Sequence, residues 1–404
     1  MRTRVSIKFD AMIFIIIAIL GFMLSYKLTS YLADFKVEKK YSRLDILFLA
    51  ACTVLIFLPM SHISDAKKSK LENRNLATWR PLINKNGNIN YNFGRDYDRW
   101  FSDRFNLRYY LLNLYYYCML SENAQPKIVV GKDGWYFFRD ENGIKNFLNL
   151  DLFSRKELQY IANYLQTVND YCKTKNKHFY LFIAPDKNKI YGEYYPDYII
   201  RNIPDTDSRA RQLINYLKEH TDVKIIYPYE ELMNAKKDGI IYWKNDTHWN
   251  YMGAYIGYKA LMKAINDDGI RVEPVIPKLE FSRAQESDLG AMLVGRLKRT
   301  DKEVEYPYPY IPQDYELTIS GTTPDDIFSH NDMFTVNEKK APRVVMFRDS
   351  FTRGMMPFLA NTFSHVSYYW RYDVSKKLIE DADIVIIESV ERRLYIFKNN
   401  KFTN

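Results

Sequence analysis

Arg343-Val344-Val345-Met346-Phe347-Arg348-Asp349-Ser350-Phe351 is the stretch that decides how this chain folds. Its opening residues form a short apolar run, the pattern of a buried strand. The polar turn that follows ends the strand, so the Ser350 hydroxyl projects into a cleft, as a nucleophile elbow does. About a hundred residues earlier stands Asn245-Asp246-Thr247-His248-Trp249-Asn250. An Asp two residues before a His lets the carboxylate curl back and hold Nδ1–H, leaving the far nitrogen to take a proton from a nucleophile. Ser350, His248 and Asp246 therefore form a candidate triad. Either motif alone arises by chance in 404 residues. Their shared context favours catalysis.

That context is a repeating pattern. Ser154-Arg155-Lys156-Glu157 has capping-box spacing. Leu158, Ile161, Ala162, Leu165, Val168 and Cys172 then follow a helical stripe. A strand at 178–184 ends in Pro185-Asp186-Lys187, a helix at about 207–220 leads to a strand at 223–227, and 250–267 reads as a mostly buried helix. After the strand at 343–347 come a helix near 351–362, a strand at 365–370, a helix at 374–381 and a strand at 384–387. Such alternation predicts an α/β fold, a parallel sheet with helices on both faces. Active sites of such sheets lie at the carboxyl ends of the strands, where Ser350 falls. Residues 127–138 read as a hairpin around Gly-Lys-Asp-Gly. Residues 270–340, rich in Pro, Asp and other polar residues, read as an insertion.

Composition bounds the rest. With 47% hydrophobic residues the chain can bury a large core. Three cysteines cannot form a disulfide framework, and only Cys118 and Cys172 lie outside the apolar N-terminal segments as a possible pair. Of the net charge of +9, residues 1–64 carry +4 (eight Lys/Arg against four Asp/Glu) and the remainder +5. That surplus is no nucleic-acid footprint, but it is compatible with an anionic polymer or lipid surface. The histidines lack metal-ligand spacing and no phosphate or dinucleotide fingerprint occurs, so neither a metal nor a cofactor is expected.

Residues 11–26 carry no charge and stay apolar to about residue 33, and 46–64 are again free of formal charge. Each can span ~30 Å of hydrocarbon, so two transmembrane helices, about 11–33 and 46–64, are expected. They divide the chain into a membrane anchor at 1–64 and a catalytic domain at 65–404. The basic linker at 36–43 competes with Arg2, Arg4 and Lys8 for the cytoplasmic side, and the two possibilities stay open.

Asp246-x-His248-Trp249-Asn250 with Gly253, then Asp349-Ser350-Phe351, resembles the alginate O-acetyltransferase family of the AlgX/AlgJ type. The likeness extends to Glu72-Asn73-Arg74, Asp103-Arg104-Phe105, Gly131-Lys132-Asp133-Gly134-Trp135, Pro185-Asp186-Lys187 with Tyr191, and Glu391-Arg392, from about residue 70 to 393. It implies an SGNH hydrolase-like domain with Ser350 as nucleophile, His248 as base and Asp246 as the orienting residue. The order Asp-His before Ser is permuted relative to ordinary SGNH esterases, and Arg348 stands where their motif has Gly. The backbone N–H of Ser350 is one expected oxyanion donor. The resemblance further implies an extracytoplasmic domain at the cell membrane, working with a membrane-bound O-acyltransferase as acyl supplier and a polysaccharide as acceptor. The double N-terminal span departs from soluble members and puts alginate itself in doubt.

The resulting expectation is an O-acetyltransferase acting through a serine acyl-enzyme on an extracellular or cell-wall polysaccharide. An esterase with the same triad and a non-catalytic polysaccharide-binding subunit are the alternatives. Trp249 and Tyr251, nearest the triad in sequence, are candidate sugar platforms, and Lys187 is a candidate contact for an acidic polymer. Asp349 is expected to cap the following helix, Trp135 to pack in the core, and Glu391 and Arg392 to pair with each other.

Overall fold

A computed structural model describes residues 43–58, 63–69, 74–83, 87–105, 107–112, 127–139, 142–283, 288–292, 305–320, 331–338 and 341–404. The chain divides into two compact units, Met1–Ser121 with Met292–Lys298, and Glu122–Ala291 with Arg299–Asn404. The expected boundary at residue 64 lies inside the first of these. In that unit the helix Phe93–Arg104 is anchored by the buried Arg104, whose guanidinium donates to the carbonyls of Ser64, Ala66 and Ala77. Among the described residues no helix is long and apolar enough to cross a membrane. The expected span at 11–33 lies outside the described residues. The one at 46–64 is represented by the helix Arg43–Phe57, whose 15 residues reach about 22 Å at 1.5 Å per residue.

The second unit is built on a seven-stranded sheet. In chain order its strands are β1 (His178–Ala184), β2 (Lys224–Ile226), β3 (Glu316–Ser320), β4 (Asp332–Val336), β5 (Arg343–Phe347), β6 (His365–Tyr369) and β7 (Ile384–Val390). Across the sheet the order is β2-β1-β7-β5-β6-β4-β3. Neighbours from β2 to β6 are parallel, while β6–β4 and β4–β3 are antiparallel. The fold is thus α/β, but the sheet is mixed. The correction comes from 270–340: this supposed insertion supplies β3 and β4, whose alternating exposure fits an edge with one face covered.

Successive side chains of a strand point to opposite faces, and the core divides accordingly. Val344, Met346, Ile384 and Ile386 pack with α3 (Tyr251–Asp267) and α4 (Thr352–Thr362). Val345, Phe347, Val385 and Ile387 pack on the other face with α1 (Arg155–Thr174) and α2 (Arg209–His220). Full burial of each such side chain is worth roughly 1.5–3 kcal/mol. The capping box at Ser154 and Glu157 is formed, and every residue of the predicted α1 stripe is buried. The hairpin is present, with Ile128–Val130 pairing antiparallel to Tyr136–Phe138. The helix expected at 374–381 is replaced by a short strand, Val374–Ser375, pairing with Phe402–Thr403, and one 3-10 turn. Pairing with the last residues of the chain overrides the local helical pattern there.

Candidate active site

Ser350 sits one turn past the carboxyl end of β5, half-buried, and the residues before it fix that turn. The Asp349 carboxylate accepts hydrogen bonds from the Phe351 N–H at 2.9 Å, the Tyr372 hydroxyl at 2.9 Å and the Val390 N–H at 2.8 Å. It organises the elbow itself and makes no side-chain cap to α4. Beneath it lies Glu388, fully buried near the end of β7, whose Oε2 accepts from the Asp349 N–H at 3.0 Å and the Thr352 hydroxyl at 2.7 Å. Burial, and then the charge of Asp349, push the Glu388 carboxyl well above its ordinary range. Arg348 is buried too. Its guanidinium donates to the Asn331 carbonyl and lies 4.8 Å from the Trp370 ring centroid, and burial lowers its pKa to about 10.

The histidine arrives on a tight loop. Tyr242 and Trp249 bridge antiparallel, the Trp243 N–H donates to the His248 carbonyl, and Asn250 caps α3 through the N–H groups of Met252 and Gly253. A side chain at Gly253 would place its Cβ 2.3 Å from the Ile241 carbonyl oxygen, so only glycine lets the helix start this close to the loop. Inside the loop, Lys187 Nζ donates to the carbonyls of Trp243 at 3.1 Å, Lys244 at 3.0 Å and Asp246 at 2.6 Å. The rings of Trp135 and Phe137 lie 5.7 and 5.4 Å from the same ammonium. Burial dominates and lowers its pKa to about 7, against the pull of Asp246 and Asp288.

Elbow and loop meet at the imidazole. Asp246 Oδ1 accepts from the His248 N–H at 2.9 Å and from Nδ1–H at 2.6 Å, while Oδ2 accepts from the Asp288 N–H at 2.9 Å. His248 Nε2 lies 2.7 Å from Ser350 Oγ and is placed to accept its proton. Burial works against charge on both partners. Even so, the ion pair and its hydrogen bonds hold Asp246 below the usual carboxylate range and raise His248 above its ordinary value, with Asp288 adding to the latter. A serine, an imidazole and a carboxylate so linked can carry nucleophilic acyl transfer.

The structure brings Asp246, His248 and Ser350 together and buries two of the other candidates, Trp249 and Lys187. Trp249 is 2% exposed. Its Nε1–H donates to the Phe351 carbonyl, and its ring packs against Gly257 and Gly354, so it braces loop and elbow instead of offering a face to sugar. Lys187 is likewise inside the protein, consumed by three carbonyls, and cannot meet a polymer. Tyr251 alone stays half-buried, edge-on to Trp243 and Tyr308. Trp135 is in the core, stacked 4.1 Å from Tyr191. Arg392 pairs with Asp186 at 3.4 Å, whereas Glu391 accepts from the Asp186 N–H and the Tyr227 hydroxyl. The expected Glu391–Arg392 pair is thereby corrected: the two side chains are consecutive and serve different partners. Cys172 is a free buried thiol, and Cys118 lies outside the described residues.

Sequence reasoning missed Glu388 and Asp288. Glu388 is one acid inside an apolar run, and Asp288 is one of many acids in a polar stretch. Asp246, His248 and Asp288 have ligand atoms within 4.8 Å of one another, close enough to hold a metal ion. Both Asp246 oxygens already face N–H donors, a hydrogen-bonding arrangement and not a cation cradle.

Comparison with known proteins bears on this site. Residues 128–372 match the family described as ALGX, an SGNH hydrolase-like domain, acetyltransferase AlgX. The Probable alginate O-acetylase AlgJ of Pseudomonas putida is 26% identical over 152 residues, which cover 36% of this chain and 36% of that protein. The chain thus spans about a third of the length of that relative. Among solved structures, PatB1 of Bacillus cereus aligns at 17% identity and a TM-score of 0.47 over 65% of this chain and 95% of its own. The O-acetyltransferase domain of Pseudomonas putida AlgJ aligns at 17% identity and a TM-score of 0.43, over 68% and 94%.

Proposed function

This chain belongs to the AlgX family of SGNH hydrolase-like acetyltransferases, and from that premise we propose that it O-acetylates a polysaccharide through an acetyl-serine at Ser350. The observation that carries this reading is the unbroken hydrogen-bonded run from Asp246 through His248 to Ser350. Ser350 Oγ attacks the acetyl carbonyl of the donor while its proton passes to His248 Nε2, and that proton leaves with the donor's departing group. A sugar hydroxyl then gives its proton to Nε2 and bonds to the acetyl carbon, and Nε2 passes that proton to Ser350 Oγ as the acetyl-serine ester breaks. Asp246 keeps the ring in the tautomer with hydrogen on Nδ1 and steadies the imidazolium. The Ser350 backbone N–H is our candidate to hold the oxyanion.

The curated relative is named for alginate. For this chain we place the acceptor in the wider class of extracellular or cell-wall polysaccharides. In this reading the catalytic unit is extracytoplasmic, anchored near a membrane, and supplied with acetyl by a membrane-bound O-acyltransferase. Tyr251 takes the role of acceptor platform.

The test is acceptor choice. The purified chain, given a small activated acetyl ester and a panel of oligosaccharides, should yield acetylated sugar. Free acetate alone, at a rate no acceptor changes, replaces the transferase with an esterase. In cells, a reporter fused to the C-terminus should read as extracytoplasmic, and a cytoplasmic reading removes the polysaccharide.

A further inference from the structure

We propose that Asp288 is a positioning residue for His248, a second carboxylate joined to the ring through the Thr247 hydroxyl. The inference rests on the reading of His248 as the base. Asp288 reaches the catalytic loop in two ways. Its own N–H donates to Asp246 Oδ2 at 2.9 Å, on the edge of the carboxylate opposite the imidazole. Its side chain clasps Thr247, with the Thr247 N–H to Oδ1 at 2.8 Å and the Thr247 hydroxyl to Oδ2 at 2.6 Å. That hydroxyl oxygen is 3.2 Å from His248 Nδ1, and Asp288 Oδ2 is 3.9 Å from the same nitrogen. Nδ1 therefore faces two carboxylates, Asp246 directly and Asp288 across one hydroxyl. The N–H groups of Leu289 and Gly290 both donate to the Asn245 carbonyl, so Asp288 and the two residues after it are all bonded to the loop.

When Ser350 is attacking, the ring becomes an imidazolium, and the Asp288 carboxylate, in its ionised form, adds to the stabilisation that Asp246 gives. Asp288 is the weaker of the two: its Oδ2 is 3.9 Å from Nδ1 against 2.6 Å for Asp246, and burial together with the charge of Asp246 raises its own pKa to about 7. The other charges felt at this position are the Lys187 ammonium, which Asp288 itself attracts, and Arg392, which opposes charge on His248.

The geometry separates charge from framework. Asp288→Asn keeps the backbone N–H to Asp246 and an amide oxygen for the Thr247 N–H, but deletes the anion. Asp288→Ala deletes the clasp as well. In the full chain, the His248 ring can be titrated by NMR through its Cε1–H, a readout that requires no substrate and stands whether the acceptor is sugar or water. We expect Asp288→Asn to lower the His248 pKa by roughly 0.5–1 unit and to move the acid limb of kcat/KM for a small activated ester to lower pH by the same amount. Asp288→Ala should do the same and lose kcat in addition, with KM little changed. Thr247→Val, which removes only the bridging hydroxyl, should reproduce part of the shift and keeps the test alive should an Asp288 variant misfold. An unchanged His248 pKa in Asp288→Asn and Thr247→Val, whatever happens to the rate, would overturn the proposal and leave Asp288 as a brace of the loop.

Discussion

The elbow that carries Ser350 and the loop that carries His248 bring two atoms to within 2.7 Å by opposite means. The elbow is the end of β5, a strand paired on both sides by parallel neighbours, with apolar residues filling both faces. Its polar groups, Asp349 and Glu388, satisfy backbone N–H groups that the strand's ending leaves open. The loop lies outside the sheet. It is tied from within by Lys187 through three carbonyls and flanked by Asp288. The contrast is that the sheet sets the position of Ser350, whereas charged tethers from distant parts of the chain set that of His248. Damage to the sheet side should therefore appear mainly as lost stability, and damage to the tethers mainly as lost rate.

The largest effect tests whether the two arms act as one device. Ser350→Ala and His248→Ala should each cut acyl transfer by about 10⁴-fold or more, and Asp246→Asn by about 10⁴-fold, with unchanged circular dichroism. The Ser350/His248 double variant should be hardly worse than either single one. Additive losses would mean that elbow and loop work separately.

Next comes the tether. Lys187→Met should slow transfer about 10²-fold, since a displacement near 1 Å suffices for that. It should also change how stability depends on pH. The folded pKa of Lys187 is lowered to about 7, while the unfolded one is about 10.4. Between these values the unfolded chain binds the extra proton, so this lysine makes the wild type gain stability as pH rises from 7 towards 10. Urea melts across that window should show a shallower rise in Lys187→Met. An identical slope in both proteins would remove the buried charge from the account.

A smaller effect is expected at Tyr251, the half-buried ring beside the loop. Tyr251→Ala should raise KM for a glycan acceptor by roughly 3–10-fold, about the worth of one lost stacking contact, and leave hydrolysis of a small ester alone. Equal effects on both would place Tyr251 in the framework. Smallest of all is the effect at the elbow's buried Glu388. Glu388→Gln preserves an acceptor for the Asp349 N–H and the Thr352 hydroxyl and should keep activity within about threefold, whereas Glu388→Ala leaves buried donors unsatisfied and should cost about 2–4 kcal/mol of stability. A large rate loss in Glu388→Gln would mean that the elbow, too, depends on charge.

The same contrast explains what could be read from the sequence. The elbow was legible because a strand and its turn leave a local pattern, an apolar run followed by Asp349-Ser350, and because the flanking helices show their stripes and caps. Asp246 and His248 were legible because their contact spans two residues. What holds them was not. Lys187 looks like any loop lysine until β1 delivers it beneath the loop, and Asp288 and Glu388 gain meaning only from partners 36 to 42 residues away. Trp249 faces inward, and sequence nearness to His248 does not tell which way a ring points. β3 and β4 are hidden in a Pro- and Asp-rich stretch because antiparallel strands covered on one face lack the continuous apolar run of the central parallel ones.

The most direct test of the central claim is to trap the first half-reaction. The purified chain should be mixed with an activated acetyl ester without acceptor, quenched in acid, and examined by peptide mass spectrometry. The account predicts one acetyl group on the peptide containing Ser350, absent in Ser350→Ala, nearly absent in His248→Ala, and discharged when a competent oligosaccharide is added before the quench. Acetylation confined to other residues, or an undiminished Ser350 adduct in His248→Ala, would contradict it.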